Sequence, residues 1–267
     1  MRRPSIKYLG DVALVRFPSG YSGDPAEFGK MVLKRGGVRS VLQLERVEGV
    51  ERTPVVKHLA GSRETVTVHR EYGWVYRLDA SKVMFSLGNS YERLRMNRLP
   101  SVGEVVVDMF AGVGQFTIPI AKSKASRVVA FELNPEAYGY LVQNIRLNKV
   151  VEKVTAYNDD CRNAAKYEPA QKADRVVMGY LFGTTSYLPA ALQIAKNGSI
   201  IHFHEIAEPK DGWTKLYNKC MAVAEELGYW LELTGYRVVK TYSPRSWHYV
   251  LDLRAFRKPL FEPPSNT

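Results

Sequence analysis

The stretch VVVDMFAGVGQFTIPIAKSKASRVVAFELNP, Val105 to Pro135, decides the fold. An apolar run ends at Asp108, and a glycine turn, Ala111-Gly112-Val113-Gly114, follows it. Helical spacing runs from Phe116 to about Lys122. A second apolar run, Val128 to Phe131, then ends in the acid Glu132. The order is strand, turn, helix, strand, and the second strand delivers a carboxylate to the strand ends. Glycines have no Cβ, so the backbone can turn sharply there and approach a ligand, while an acid on the next strand reaches ribose hydroxyls. The unit therefore reads as a nucleoside pocket. The bland alternative is an ordinary βαβ unit with a solvated glutamate.

Which nucleoside it takes depends on detail. Glu132 lies 18 residues beyond Gly114, near the spacing at which an acid holds ribose. A dinucleotide fingerprint needs a further glycine three positions on, and Thr117 stands there; no Gly-Lys-Ser/Thr pattern exists either. A cofactor with ribose but no phosphate fits better, which points to S-adenosylmethionine. A possible third strand, Val151 to Ala156, leads into Tyr157-Asn158-Asp159-Asp160-Cys161-Arg162, and an acid there can accept a hydrogen bond from an adenine amino group. Polar strand ends at Asp108, Glu132 and Asp160 make one crevice of the kind in which open α/β sheets bind ligands. Phe110 and Asn134 flank the first two ends; Asp159 and Cys161 flank the third.

The rest of the chain alternates in the same manner. Pro135 to Asn148 is expected as a helix, with Asn134 as N-cap and proline at the first position. Arg175 to Met178 reads as a buried strand, Leu188 to Ala195 as a helix ended by Asn197-Gly198, Ser199 to Phe203 as a strand, and Trp213 to Leu227 as an amphipathic helix closed by Gly228. Tyr236–Tyr242 and Trp247–Phe256 alternate around Ser-Pro-Arg-Ser, an antiparallel hairpin that distinguishes class I methyltransferase-like sheets from dinucleotide domains. The fold class is thus α/β, a Rossmann-like, mostly parallel sheet with a terminal antiparallel hairpin, preceded by a small α+β unit. In that first unit Val12–Phe17 and Val41–Val47 read as strands, Pro25 to about Lys34 as a helix, and Thr65–His69 with Gly73–Leu78 as a hairpin. The expected division is 1–77 for this unit, 78–260 for the cofactor-binding domain, and 261–267 for a flexible tail.

Composition narrows the partners. The 267 residues carry a net charge of +11, and residues 1–77 hold 14 Lys/Arg against 8 Asp/Glu, so +6 of that charge sits in less than a third of the chain. Such a balance favours a polyanion. With a methionine-derived cofactor, RNA or DNA becomes the favoured substrate class. No apolar run of 18 residues exists, the start lacks the apolar core of a secretory signal, and Cys161 and Cys220 are the sole cysteines. A cytoplasmic protein, with no membrane span and no disulfide scaffold, is expected. His202-Phe203-His204-Glu205 puts two imidazoles on one strand face, but no further ligand cluster accompanies them, so no metal is expected.

Several longer segments carry a narrower signal: "SVLQLERVEGVERT", "HREYGWVYRLDASKVMFS", "ERLRM", "VVVDMFAGVGQFTIPIAK", "ELNPEAYGYLVQNIRLNKV", "HFHE" and "YSPRSWHYVLDLR". Together, from Gly10 to Asp252, they resemble the archaeal tRNA enzymes that act at the purine 3′ of the anticodon. Two sister activities share that architecture. One methylates N1 of guanosine, and the other is the wyosine-pathway aminocarboxypropyltransferase. The methylating sister resembles Asn-Leu-Pro or Asn-Pro-Pro at the fourth strand end; this chain has Met178-Gly179-Tyr180, which looks like the aminocarboxypropyl branch. It also has Phe85-Ser86-Leu87-Gly88, where the methylating sister usually carries Pro-Arg after Phe-Ser.

The resemblance implies transfer of the 3-amino-3-carboxypropyl group of S-adenosylmethionine to carbon-7 of demethylwyosine in tRNA-Phe, releasing methylthioadenosine; separately, a monomer is expected. Under it Glu132 holds ribose, Asp160 with the Cys161 backbone holds adenine, and Asp159 assists. Gly112 and Gly114 admit the cofactor, and Ser86 and Arg93 line the methionine side, with Arg93 anchoring its carboxylate. Met178, Gly179 and Tyr180 position the base, Tyr180 by stacking. No general base is assigned. The alternatives are the guanosine N1-methyltransferase and a non-catalytic tRNA-binding protein.

Overall fold

The structure, a computed structural model, describes residues 3–167 and 172–258. Its larger sheet explains why the apolar runs look as they do. Val105–Asp108 (β7), Arg127–Phe131 (β8), Val154–Tyr157 (β9) and Ala173–Met178 (β10) are mutually parallel; β7, β8 and β10 are buried on both faces, and β9, at the edge, is half-buried. Successive side chains point to opposite faces. Val106, Val128, Ala130 and Val177 therefore enter one core, under helices Ser90–Arg98 (α2), Thr117–Ala121 (α3) and Pro135–Leu147 (α4). Val107, Val129, Phe131, Val176 and Met178 enter the other, under Leu188–Ile194 (α5) and Gly212–Glu226 (α6).

Ala195–Ala207 (β11) continues the parallel set beside β10. Tyr229–Ser243 (β12) and Ser246–Arg257 (β13) close the edge as an antiparallel hairpin, giving the order β12-β13-β11-β10-β7-β8-β9. The chain leaves β7 toward β8 and β9, then returns to place β10 on the other side. The crevice beyond β7 and β10 is the switch point where such sheets bind ligands. The expected fold class is the observed one.

Four strands form a separate sheet: Ser5–Leu9 (β1), Val12–Arg16 (β2), Ser40–Glu48 (β3) and Thr53–Gly61 (β4), with Pro25–Leu33 (α1) as the crossover between parallel β2 and β3. Asp24 caps α1 by accepting from the Ala26 amide, and Pro25 opens it. Val66–Glu71 (β5) and Trp74–Asp79 (β6) make the expected hairpin. It is fixed to α4 by Asn144 and Asn148, whose side chains bond the Arg77 and Val75 backbones in both directions.

Some boundaries differ from the reading. β1, β4 and α2 were not foreseen. β9 begins at Val154 rather than Val151, because residues 151–153 turn. Asn197-Gly198 does not end α5. Ala195 already has extended backbone, and a register shift, from Ala173↔Ala195 to Arg175↔Ile200, absorbs those residues into β11. The tail from 261 lies outside the described residues.

Candidate active site

The glycine turn and the end of β8 lock each other in place. Gly112 donates its amide to Glu132 Oε2 at 2.6 Å, and Asn134 donates its amide to Oε1 at 2.8 Å. Ala111 donates to the Phe131 carbonyl at 2.9 Å. The turn requires left-handed backbone at Gly112 (φ 55°) and Gly114 (φ 96°). At Gly114 a Cβ would also stand 3.0 Å from Ile118 and 3.2 Å from Leu141. These contacts leave the Glu132 carboxylate facing the crevice with one amide on each oxygen and acceptor capacity remaining. Burial pushes its carboxyl up to about 7, against the two amides and helped by the nearby acids Asp108 and Glu51.

The wall beyond β9 comes from a short 3-10 turn, Cys161–Lys166, capped by Asp160. Asp160 accepts from the Arg162 amide and guanidinium, and Asp159 accepts from Tyr167 (2.8 Å), Asn163 (2.9 Å) and the Asp160 amide (2.7 Å). Both line the crevice, and these donors hold both below the usual carboxylate range. Cys161 also lines it. Burial pushes its thiol up to about 12, so it stays protonated and is no nucleophile near neutral pH. Asn134 lines the crevice too, while its side chain caps α4.

The far wall is aromatic. Phe110 stacks on Tyr180, with centroids 4.9 Å apart and planes at 19°, and Tyr187 meets both edge-on. Gly179 has a spatial reason: a Cβ there would lie 2.8 Å and 2.9 Å from ring carbons of Phe116, another lining residue. The segment that follows is pinned by Glu205. Its carboxylate accepts the amides of Phe182, Gly183 and Thr184, each at 2.7 Å, and of Ile206 at 2.8 Å. Phe182 and Gly183 both have positive φ, which brings three successive amides onto one acid.

Across the crevice Ser86 donates its amide to Gln115 Oε1 at 2.8 Å, and both residues line the cavity.

Residues 67–232 match the TRM5/TYW2 methyltransferase domain, and residues 5–65 match the TYW2 N-terminal domain. The chain belongs to this family. A tRNA(Phe) (4-demethylwyosine(37)-C(7)) aminocarboxypropyltransferase of Pyrococcus horikoshii is 42% identical over 221 residues, 83% of this chain and 78% of that one. The protein of the same description from Methanocaldococcus jannaschii is 40% identical over 255 residues, 93% of this chain and 98% of that one. The tRNA (guanine(37)-N(1))-methyltransferase Trm5b of Pyrococcus abyssi is 34% identical, over 94% of this chain and 74% of its own length. The crystal structure of M. jannaschii TYW2 in complex with AdoMet superposes with a TM-score of 0.75 at 36% identity, over 95% of this chain and 100% of that one.

Within this family frame, four expected site residues stand apart from the cavity, and Gly114, which turns the chain against Ile118 and Leu141, is the first. Asp108 is fully buried under the turn. It accepts from Thr117 Oγ1 at 2.7 Å and the Phe110 amide at 3.3 Å, and burial pushes its carboxyl up to about 6. Its role is to hold the start of the turn. Met178 is a core residue, because strand alternation points it beneath the sheet while Gly179 and Tyr180 continue to the rim. Arg93 is fully buried and already paired. Its guanidinium donates to both Glu71 oxygens, at 3.1 Å and 2.6 Å, and to the Ser86 carbonyl at 2.8 Å, and lies over Phe85. Its link to the cavity is the hydrogen bond to the Ser86 carbonyl.

The two histidines of β11 are paired with other side chains. His202 bonds Asp252 at 2.6 Å and Arg175 at 2.7 Å, and His204 bonds His248 at 3.1 Å.

Sequence reasoning missed several contributors, Gln115, Tyr187 and Asn89 among them. Glu205 carried no signal beyond its place in "HFHE". Glu51 and Arg52, on the β3–β4 turn, line the same cavity from the amino-terminal sheet, and Arg52 lies over the Phe182 ring at 5.1 Å. Lys240 of β12 donates to Ser86 Oγ and Asn89 Oδ1, each at 2.8 Å. On an alternating edge strand it reads as one more solvated lysine.

Proposed function

We propose that the chain transfers the 3-amino-3-carboxypropyl group of S-adenosylmethionine to carbon-7 of the demethylwyosine base beside the anticodon of tRNA-Phe, releasing methylthioadenosine. The residues fit that donor. The left-handed Gly112–Gly114 turn leaves open backbone, and Glu132 presents a carboxylate with unfilled acceptor positions where ribose hydroxyls donate. Asp160 and the Cys161 backbone form the adenine wall, assisted by Asp159, with the flat Phe110 ring beside them. Ser86 and Gln115 bound the methionine side. When bound, S-adenosylmethionine supplies a sulfonium with three activated carbon substituents, so the substituent facing the base decides what is transferred.

The observation that carries the aminocarboxypropyl reading is the rim Gly179-Tyr180. Phe116 fills the space in which a residue-179 side chain would stand, so no amide is offered there to a base edge. Tyr180, stacked on Phe110, offers a ring instead; base–aromatic stacking is worth about 1–3 kcal/mol. The basic amino-terminal unit, 1–77, is the proposed tRNA contact, and its Arg52 already borders the crevice. A cytoplasmic monomer is proposed, in keeping for the compartment with the two buried, unpaired cysteines. No helix among the described residues is long and apolar enough to cross a membrane.

The test is to incubate the protein with S-adenosylmethionine and demethylwyosine-bearing tRNA-Phe and to separate the small-molecule products by chromatography. Methylthioadenosine is the expected product. S-adenosylhomocysteine in its place would assign the chain to methyl transfer.

A further inference from the structure

We infer that Lys240 is the cationic receptor for the carboxylate of the transferred arm, reached through Ser86 and Asn89. The inference rests on reading the crevice as an S-adenosylmethionine site. Lys240 comes from the terminal hairpin, 154 residues from Ser86 in sequence, and its stem packs where a Cβ on Gly88 would lie 3.0 Å from Cδ. Its ammonium donates to Ser86 Oγ and Asn89 Oδ1. Both residues line the nucleoside crevice, and Lys240 itself lines an adjoining cavity that shares Ser86 and Arg52 with it. An ammonium has three donors, and two are engaged here by neutral oxygens.

The charge is unmatched. Among the described residues Lys240 makes no ion pair, whereas Arg93, the other cation behind Ser86, is held bidentately by Glu71. The charged groups that bear on Lys240 are Lys7, Arg93 and Arg52, all of one sign. Partial burial with like charges around it pushes the amine down to about 8. A partly buried ammonium without a counter-charge is costly, and an anion at the Ser86 wall relieves that cost. Ser86 Oγ accepts from Lys240 and so keeps its own proton to donate. The donor's single fixed anionic group is the carboxylate on the arm that is transferred. Holding it there orients that arm, rather than the methyl, and so makes Lys240 a determinant of which group moves.

The experiment is calorimetric titration of the full chain with two ligands, S-adenosylmethionine and methylthioadenosine, which lacks the carboxylate. In Lys240→Met the affinity for S-adenosylmethionine is expected to fall about 10- to 100-fold, the value of a charge-assisted pair, while methylthioadenosine stays within about twofold. Lys240→Arg keeps most of the S-adenosylmethionine affinity. Retained methylthioadenosine binding shows that the variant is folded; should Lys240→Met bind neither ligand, Asn89→Ala, which removes one anchor of the ammonium, takes its place and is expected to show a selective loss of several-fold. Equal, partial weakening of both ligands or no weakening of either overturns the proposal. A wild-type chain that binds neither ligand would instead sink the reading of the site itself.

Discussion

On the nucleoside side of the crevice, the Gly112 amide and the Glu132 carboxylate meet across 20 residues of chain. On the opposite side, Ser86 meets Lys240 across 154, and the rim at Phe182–Thr184 is held by Glu205 from the neighbouring strand. The first half is a local device: one turn, one strand and one acid, whose geometry follows from glycine conformation and strand spacing. The second half is assembled from the β3–β4 turn, the segment before α2, the end of β10 and the terminal hairpin. The proposed nucleoside half is thus encoded in a short motif, while the half proposed to choose the transferred group depends on long-range packing that places charge and aromatic surface.

The comparison is best broken at Glu205. Glu205→Ala leaves four backbone amides without their acceptor, and each unsatisfied donor costs about 1–3 kcal/mol unless the segment moves. A stability loss of about 2–4 kcal/mol by denaturant unfolding, with turnover down by about 100-fold or more, is expected. Unchanged turnover would show that the rim is not part of the site.

Glu132→Ala attacks the other half. It removes the proposed ribose acceptor and is expected to weaken S-adenosylmethionine and methylthioadenosine alike, by about 10- to 100-fold in calorimetry. A selective loss of only one ligand would blur the division between the halves.

The pH dependence sharpens it further. Burial favours the protonated form of Glu132, so the ligand-free fold gains stability at low pH, fully below the ordinary 4.5, and loses it as pH rises through about 7. Ribose hydroxyls need the ionised acceptor, so binding runs the other way. Affinity is expected to fall by about tenfold per pH unit as pH drops below about 7. A flat affinity profile between pH 5 and 8, measured on the same preparation, would remove Glu132 as the ribose acceptor.

The smallest effect is expected at the rim. Gly179→Ala places a Cβ 2.8 Å from Phe116, an overpacking worth about 1–3 kcal/mol. Turnover should drop by about tenfold while S-adenosylmethionine affinity changes less than about threefold, because the nucleoside half is untouched. Equal effects on both would tie Phe116 to the cofactor rather than to the base.

How far the sequence could be read follows the same division. β7, β8, β10 and their helices were legible because apolar runs, glycine turns and the Asn134-Pro135 cap are local signals. β1 was missed because Ser-Ile-Lys-Tyr-Leu carries a weak apolar pattern, and β4 because Pro54 interrupts it at an edge of the small sheet. α2 was hidden by its composition: SYERLRMNR has almost no apolar stripe, yet it buries Glu92 and Arg93, which only their partners Arg95 and Glu71 permit. Spacing points to Glu132 and Gly112, which line the cavity, and to Gly114, which keeps the turn packed against Ile118 and Leu141 behind it. Asp108 and Met178 were placed on the right strand ends, but one residue of strand phase decides whether a side chain meets the ligand or the core. Arg93 was read as a free anchor, since a sequence does not show that Glu71 neutralises it. Glu205 and Lys240 depend on sheet order and hairpin register, which no local pattern specifies.

The most direct test of the account uses S-adenosylmethionine labelled in the carboxyl carbon in one sample and in the methyl carbon in another. Each is incubated with the wild-type chain and tRNA-Phe bearing either demethylwyosine or unmodified guanosine. Carboxyl label in the demethylwyosine tRNA and no methyl label in either tRNA is the expected result. Methyl label in the guanosine tRNA, without carboxyl label in the other, would contradict it and place the chain with the methylating sister.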